Sequence, residues 1–252
     1  MIMFNKRLNL FQIWNSKAKR YDEFLTKEGD VYQQEVNWPA LKGLIGDVSG
    51  KTVLDAGCGN GLYTQLLHTM GAQVSGIDIA SSLTEIAQTR YPEIFFDIGD
   101  LTNDLPYQTN TFDLVFSKMV LMDIPSIENT VAEFYRVLKP QGVCVISILH
   151  PFYPLYYMFK NKWTSEPTGK FENVKQYHDE TFTTAFYKHI KLEIPVWTRS
   201  LEHYINTFTK RGFGVKEINE PKMSSDFLEK YPEYQERSEI PIILNIKYIK
   251  HV

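Results

Sequence analysis

Three carboxylates and a run of glycines carry the chemistry legible in this chain. Residues 51–61 read KTVLDAGCGNG: a short apolar run ends in Asp55, and Gly57, Gly59 and Gly61 follow at alternate positions. Glycine lets the backbone turn sharply and lets a ligand come close where any Cβ would collide. An apolar run that breaks into such a turn reads as a strand feeding a nucleotide-binding loop. Further on, VSGIDIA reads as a second strand ending in Asp78, where an acid can accept hydrogen bonds from both hydroxyls of a ribose. The spacing argues against two nucleotide classes. A dinucleotide fingerprint wants its third glycine three positions after the second, and Leu62 stands there instead, which disfavours NAD and FAD. No GKS or GKT follows the glycines, so nothing resembles a loop that grips a triphosphate. The acid implies a nucleoside rather than a phosphate.

The elements that must position these groups alternate. Strands are expected near residues 52–56, 73–78, 94–98, 112–117 and 142–149, and helices near 60–70, 82–90 and 126–138, a pattern that implies a parallel sheet. Ser82 with Glu85 makes a capping box at the start of the second of these helices. In open α/β sheets ligands collect at the carboxyl ends of the strands. Asp55 ends the first strand, Asp78 the second, Asp100 follows the third, and Ser117 with Lys118 ends the fourth. Three carboxylates around one cleft suit a ligand that carries positive or donating groups. Two helices, near 8–18 and 31–46, precede the alternation; residues 150–197, rich in Phe, Tyr, Trp and Pro, interrupt it as an insertion with hairpin character. It then resumes with a helix over RSLEHYINTFTKRG, ended by Gly212, and strands over GVKEINE and PIILNIKYIK.

At 252 residues, 43% apolar and 23% charged, the chain can bury one substantial core with an insertion or small cap, not two full domains. A formal charge of −3, with lysines spread along the chain, gives no basic balance that would attract nucleic acid or an anionic membrane. The two cysteines, Cys58 and Cys144, form neither a CxxC pair nor a metal cluster, so a reduced, cytoplasmic setting and no metal are expected. The N-terminal LNLFQIW is too short and too broken by polar residues for a membrane span.

The segments VLDAGCGNG, GIDIA, GDLTNDLP, FDLVFSKMVLMDI and EFYRVLKPQGVCVIS, in this order and spacing, resemble the class I methyltransferases that use S-adenosylmethionine, within them the small-molecule group that includes the quinone-biosynthesis enzymes. The resemblance is close over residues 51–149 and loose on the flanks. It implies an α/β, Rossmann-like sheet of seven mostly parallel strands, ordered 3-2-1-4-5-7-6 with the last strand antiparallel and helices on both faces. It also implies S-adenosyl-L-methionine as cofactor and S-adenosyl-L-homocysteine as product. By the same resemblance the turn Asp55, Ala56, Gly57, Cys58, Gly59 receives the methionine portion. Asp78, with Ile79 beside it, takes the ribose; Asp100 and Leu101 take the adenine; Ser117 and Met119 flank the sulfur. Tyr21 matches a tyrosine that family members bring over the cofactor from an N-terminal helix.

A sulfonium is already activated, so the protein's main task is to position the acceptor, and a general base is needed only where the acceptor loses a proton. His150, at the carboxyl end of the fifth strand, is the candidate base, against the alternative that it orients the loop at Pro151; Asp123 ranks below it, because it can simply favour the start of the next helix. Phe152, Tyr153, Tyr156, Tyr157, Phe159 and Trp163 are expected to cover or line the acceptor pocket, or else to build the insertion's own core. The chain lacks the D/N-P-P-Y/F run of nucleic-acid base aminomethyltransferases and the Pro-Cys of cytosine-C5 enzymes. The expectation is a single domain over 1–252: a helical cap over 1–48, a cofactor-binding core over 49–149, a substrate lid over 150–197, and a closing helix and strands over 198–252. The expected activity is methyl transfer to oxygen, carbon or nitrogen of a small molecule. Methyl transfer to tRNA or protein, and cofactor binding without turnover, are the alternatives; monomer and homodimer both stay open.

Overall fold

The computed structural model of the protein describes residues 9–153, 177–178, 180–187 and 192–251. Strands β1 (Thr52–Ala56), β2 (Gln73–Asp78), β3 (Phe95–Ile98), β4 (Phe112–Lys118), β5 (Leu138–Leu149), β6 (Thr181–Tyr187), β7 (Leu192–Thr198), β8 (Phe213–Asn219) and β9 (Ile243–Lys250) alternate with α-helices α1 (Leu10–Glu23), α2 (Trp38–Ile45), α3 (Leu62–Thr69), α4 (Ser81–Arg90), α5 (Glu128–Val137), α6 (Leu201–Arg211) and α7 (Ser225–Lys230). Seven strands form one sheet in the order β3-β2-β1-β4-β5-β9-β8, and β6 and β7 pair as a separate antiparallel hairpin. With the hairpin counted out, this is the order 3-2-1-4-5-7-6. Pairing is parallel from β3 to β5, and β9 runs antiparallel to both its neighbours.

Strand alternation splits the core into two layers, because successive side chains point to opposite faces. Val53, Val74, Leu114, Phe116 and Val145 meet α2 and α3 through Leu41, Leu44, Ile45 and Leu67. Leu54, Ile77, Val115, Cys144 and Ile146 face the other way and meet Val131 and Phe134 of α5 and Tyr204 and Phe208 of α6. Both cysteines are free and buried. The β strands predicted from 142 and 214 start earlier, at Leu138 and Phe213; the helix expected over 31–46 divides into a π-helical turn, Gln33–Asn37, and α2. Pro39 sits in the first turn of α2, directly after the π-helical turn. Helix α7 and the 3-10 turn Pro232–Arg237 went unpredicted.

The N-terminal helices divide their work. Helix α2 belongs to a sheet layer, whereas α1 lies against α4, packing Trp14, Ala18 and Tyr21 on Ala80 and Leu83. The capping box at Ser82 does not form. Helix α4 starts one residue earlier than expected, with Ala80 as its N-cap and no side-chain cap of its own. The orphan N–H of Ser82 is satisfied instead by Asn15 of α1, whose Oδ1 accepts it at 2.8 Å. At the other end of α1, Asp22 accepts both guanidinium arms of Arg90 (2.8 and 2.9 Å) and the Asn60 amide (2.7 Å). These bonds fix α1 across the carboxyl edge of the sheet.

No described helix is long and apolar enough to cross a membrane, and no group of three or more His, Cys, Asp or Glu that could hold a metal is found among the described residues. Tyr156, Tyr157, Phe159 and Trp163 lie outside the described residues. Phe152 is exposed, and Tyr153 packs against the cluster of Tyr32, Phe227 and Ile243.

Candidate active site

A cleft opens at the carboxyl ends of β1, β2 and β4, roofed by α1. Its floor is the glycine turn. The N–H groups of Gly57 and Cys58 both donate to Ile77 O (2.8 and 3.0 Å), and Gly61 N–H to Cys58 O at 3.0 Å, which ties the turn to β2 and closes it. Gly57 takes φ +84°, and a Cβ there would overlap Val120. Gly61 takes φ +78° as the N-cap of α3, and its Cβ would strike Ala87 and Phe96. It therefore does the close-packing job of a third fingerprint glycine one position early.

Asp78 ends β2 with both oxygens on backbone: Oδ2 accepts Gly59 N–H at 2.9 Å and Oδ1 accepts Ala80 N–H at 2.8 Å. Each oxygen keeps a second lone pair for a ligand hydroxyl. Burial raises its pKa, against those backbone bonds. Asp100 lines the cleft as well, holding its own loop through Thr102, whose N–H and Oγ1 donate to Oδ1 at 2.9 and 2.7 Å. Tyr21, edge-on to Trp14, contributes from α1; burial, and then the charges of Asp123, Asp78 and Asp30, hold its phenol un-ionised. Met119, at φ +58°, is a non-glycine residue in left-handed backbone, a strain found where function or surroundings impose it.

Of the residues expected to meet the cofactor, Tyr21, Gly57, Gly59, Asp78, Ile79, Asp100, Leu101 and Met119 line this cleft together. Asp55, Ala56, Cys58 and Ser117 are not among the lining residues; they form the layer behind it. Asp55 accepts the Thr64 hydroxyl at 2.7 Å, and Ser117 donates to Ala56 O at 2.9 Å. Burial pushes the Asp55 carboxyl up to about 7, opposed by the Thr64 bond and seconded by Asp78. His150 also lies outside the cleft lining. Its Nδ1 accepts the Phe152 N–H at 3.1 Å and its Nε2 meets Glu220 at 2.9 Å, so both ring nitrogens are held, and burial lowers its pKa. That is the loop-orienting geometry rather than a base facing the cleft.

Two charged groups to which the sequence reading gave no cofactor role line the cleft as well. Lys118 reaches the cleft with its ammonium 4.1 Å from the Tyr63 ring centre, and burial lowers its pKa to about 8. Asp123, only 8% exposed, lines it too. Leu10, Trp14, Val120 and Ile124 make its walls largely apolar.

The family model for a methyltransferase domain matches residues 54–146, the span that builds this floor. A crystal structure of a Listeria monocytogenes protein, provisionally assigned as an S-adenosylmethionine-dependent methyltransferase, superposes with a TM-score of 0.71 at 26% identity over 85% of this chain and 96% of that one. Over this span and in its fold the chain is similar to the class I S-adenosylmethionine-dependent methyltransferases. Among curated relatives of the chain are the demethylmenaquinone methyltransferase of Tropheryma whipplei, 33% identical over 154 residues, and the malonyl-[acyl-carrier protein] O-methyltransferase of Serratia marcescens, 29% identical over 132. The matches cover 58% and 52% of the chain and span 64% and 49% of these relatives' own lengths. S-adenosylmethionine brings ribose hydroxyls, an adenine amine, a zwitterionic amino acid and a sulfonium. The cleft's set of Asp78, Asp100 and Lys118 between apolar walls fits a group of that kind.

Proposed function

We propose that the protein transfers the methyl group of S-adenosylmethionine to a small, partly apolar metabolite. The observation that carries this is Asp78: it is fixed at the end of β2 by two backbone N–H groups yet still faces the cleft, at the position an α/β sheet uses for a ribose. In this reading the turn from Asp55 through Ala56, Gly57 and Cys58 to Gly59 lies along the methionine portion. Asp78 and Ile79 hold the ribose, and Asp100 and Leu101 the adenine. Tyr21 covers the cofactor, and Met119 flanks the sulfur. Asp55, Cys58 and Ser117 act from behind, by holding the turn in shape.

The bound cofactor supplies a methyl group on a sulfonium that departs as a neutral thioether. What remains for the protein is to orient the acceptor in line with that methyl and to keep water out; near-attack positioning supplies on the order of 7–11 kcal/mol in model systems. The apolar walls serve both ends, because they receive a flat molecule and leave no group to compete as acceptor. Two relatives named for such different acceptors, a quinone precursor and a malonyl carrier protein, leave the acceptor of this chain to its own wall residues.

The test is transfer from methyl-labelled S-adenosylmethionine into a cell extract, with label separated into metabolite, RNA and protein fractions. Label in the metabolite fraction is expected. Label in RNA or protein would overturn the small-molecule reading, and tight S-adenosylhomocysteine binding without label in any extract would favour a non-catalytic binding module.

A further inference from the structure

Asp123 is the one carboxyl in the cleft that neither the fold nor the proposed cofactor contacts employ. It closes a tight turn after β4, its N–H donating to Val120 O at 2.7 Å. The hairpin grips that turn from outside. Arg199, 3% exposed, donates from Nη1 to Leu121 O and from Nη2 to Ile124 O, each at 2.8 Å, and Trp197 N–H donates to Met122 O at 2.7 Å. Arg199 is itself anchored by Glu180, beside β6. Three carbonyls of one short loop are thus satisfied by the hairpin, so the loop cannot rotate without orphaning them. Held this way, Asp123 stays 8% exposed in the cleft wall, and its Oδ1 is buried with no hydrogen-bond partner among the described residues.

A buried carboxyl without a partner is costly and calls for a donor from elsewhere. Of the side chains around it in the cleft, Leu10, Ile79, Val120 and Ile124 are apolar, and the donors that share the cleft, Trp14, Tyr21 and Lys118, make no hydrogen bond to its Oδ1. The side chain is therefore matched to a ligand that is apolar over most of its surface and presents one O–H or N–H. We propose that Asp123 receives the hydrogen of a hydroxyl or amine on the methyl acceptor and takes its proton during transfer, which makes the acceptor an apolar, ring-sized molecule bearing such a donor. This rests on the methyl-transfer reading. As the acceptor's lone pair forms the new bond to the methyl carbon and the carbon–sulfur pair leaves with sulfur, the acceptor's proton passes to the Asp123 carboxylate. Charge and atoms balance: a cationic sulfonium and a carboxylate become a neutral thioether and a carboxyl. Burial, seconded by Asp78, favours the neutral carboxyl, and a cation in the same cleft shifts it towards the ionised form before transfer. Arg199 is a positioning residue in this scheme.

The test uses two probes of one size and shape, phenol and toluene, titrated by NMR into the full-length protein loaded with S-adenosylhomocysteine. The wild type is expected to bind phenol about tenfold more tightly than toluene, the contribution of one hydrogen bond to a carboxyl. Asp123→Leu is expected to abolish that preference while holding S-adenosylhomocysteine affinity within about twofold. Asp123→Asn, which keeps the shape and one acceptor oxygen, is expected to fall between the two and covers the case in which the leucine variant does not fold. Equal binding of the probes by wild type, or a preference retained in Asp123→Leu, overturns the inference alone. A tenfold loss of S-adenosylhomocysteine affinity in Asp123→Leu also overturns it, because Asp123 would then belong to the cofactor. Failure of the wild type to bind S-adenosylhomocysteine at all overturns the methyl-transfer reading, and this inference with it.

Discussion

Substituting Gly57 by alanine tests whether the turn's shape, and not only its glycine content, builds the cleft. Two separable costs follow from the structure. At φ +84° an L side chain sits in left-handed backbone, which costs about 1–2 kcal/mol. The added Cβ would also overlap Val120 Cγ2 and lie 2.9 Å from Cγ1, and forcing a methyl into a filled space costs about 1–3 kcal/mol. Gly57→Ala should therefore lose roughly 2–5 kcal/mol. Val120→Ala removes both methyls that the new Cβ meets. Alone it should cost about 1 kcal/mol, because Val120 is only partly buried. In the double variant both short methyl contacts are gone while the backbone cost and a 3.1 Å contact to the Val120 Cβ stay, so the two changes should couple favourably by about 1–2 kcal/mol. Urea unfolding of the four proteins measures this, provided the slope with denaturant is constant.

The same cycle has a ligand readout. Val120 lines the cleft, so a Cβ that drives it inward should weaken S-adenosylhomocysteine binding in Gly57→Ala and restore most of it in the double variant. Additive stabilities, or a single variant within about 0.5 kcal/mol of wild type, would refute the reasoning. In that case Gly57 would have given way by a backbone shift, and the glycine there would owe nothing to Val120.

Three further outcomes are expected. Asp78→Ala should weaken S-adenosylhomocysteine binding by about 1.5–3 kcal/mol in calorimetry, as for hydrogen bonds to a charged group; unchanged affinity would remove Asp78 from the ribose. For Asp55, burial raises the native carboxyl from 3.8 to about 7, so the native state binds the proton more tightly than the unfolded chain and stability falls as pH rises through that window. Asp55→Asn keeps an acceptor for Thr64 without the charge, so its stability relative to wild type should grow between about pH 4 and 7, by up to roughly 4 kcal/mol; parallel denaturation curves across that range would sink this account. His150→Ala should cost about 1–2 kcal/mol of stability through the lost Phe152 and Glu220 contacts and leave cofactor affinity unchanged. A hundredfold fall in turnover at intact stability would instead return His150 to the role of base.

The parts of the site that were legible in the sequence are those fixed by short-range geometry. An acid at the end of a strand, or a glycine that a turn requires, is set by neighbours within a few residues, and Asp78, Asp100, Gly57 and Gly59 all stand where that logic puts them. Ser117 and Lys118 show where it runs out. They are adjacent on a strand, so they point to opposite sides, and only packing decides that Ser117 turns in towards Ala56 while Lys118 reaches the cleft. The capping box at Ser82 failed for a related reason: the helix begins one residue earlier, and Asn15, far away in sequence, supplies the bond.

Asp123 was legible in the sequence only as the lower-ranked candidate base, because what makes it chemically unusual is contributed from the hairpin. In sequence it is an acid before a helix, a common and harmless placement. In the fold, Arg199 and Trp197 take the carbonyls on either side of it, and its Oδ1 is held in the wall with no hydrogen-bond partner among the described residues. This changes what the segment after β5 is for. Its described part, β6–β7, packs Val196 and Trp197 into the main core and reaches the cleft through the backbone of residues 121–124. On the proposed reading, substrate choice then lies partly in how the hairpin sets that loop. Arg199→Met, far from any ligand contact, should lower acceptor affinity while S-adenosylhomocysteine binding persists, whereas a variant that loses both together would show that the hairpin supports the whole cleft rather than the acceptor end.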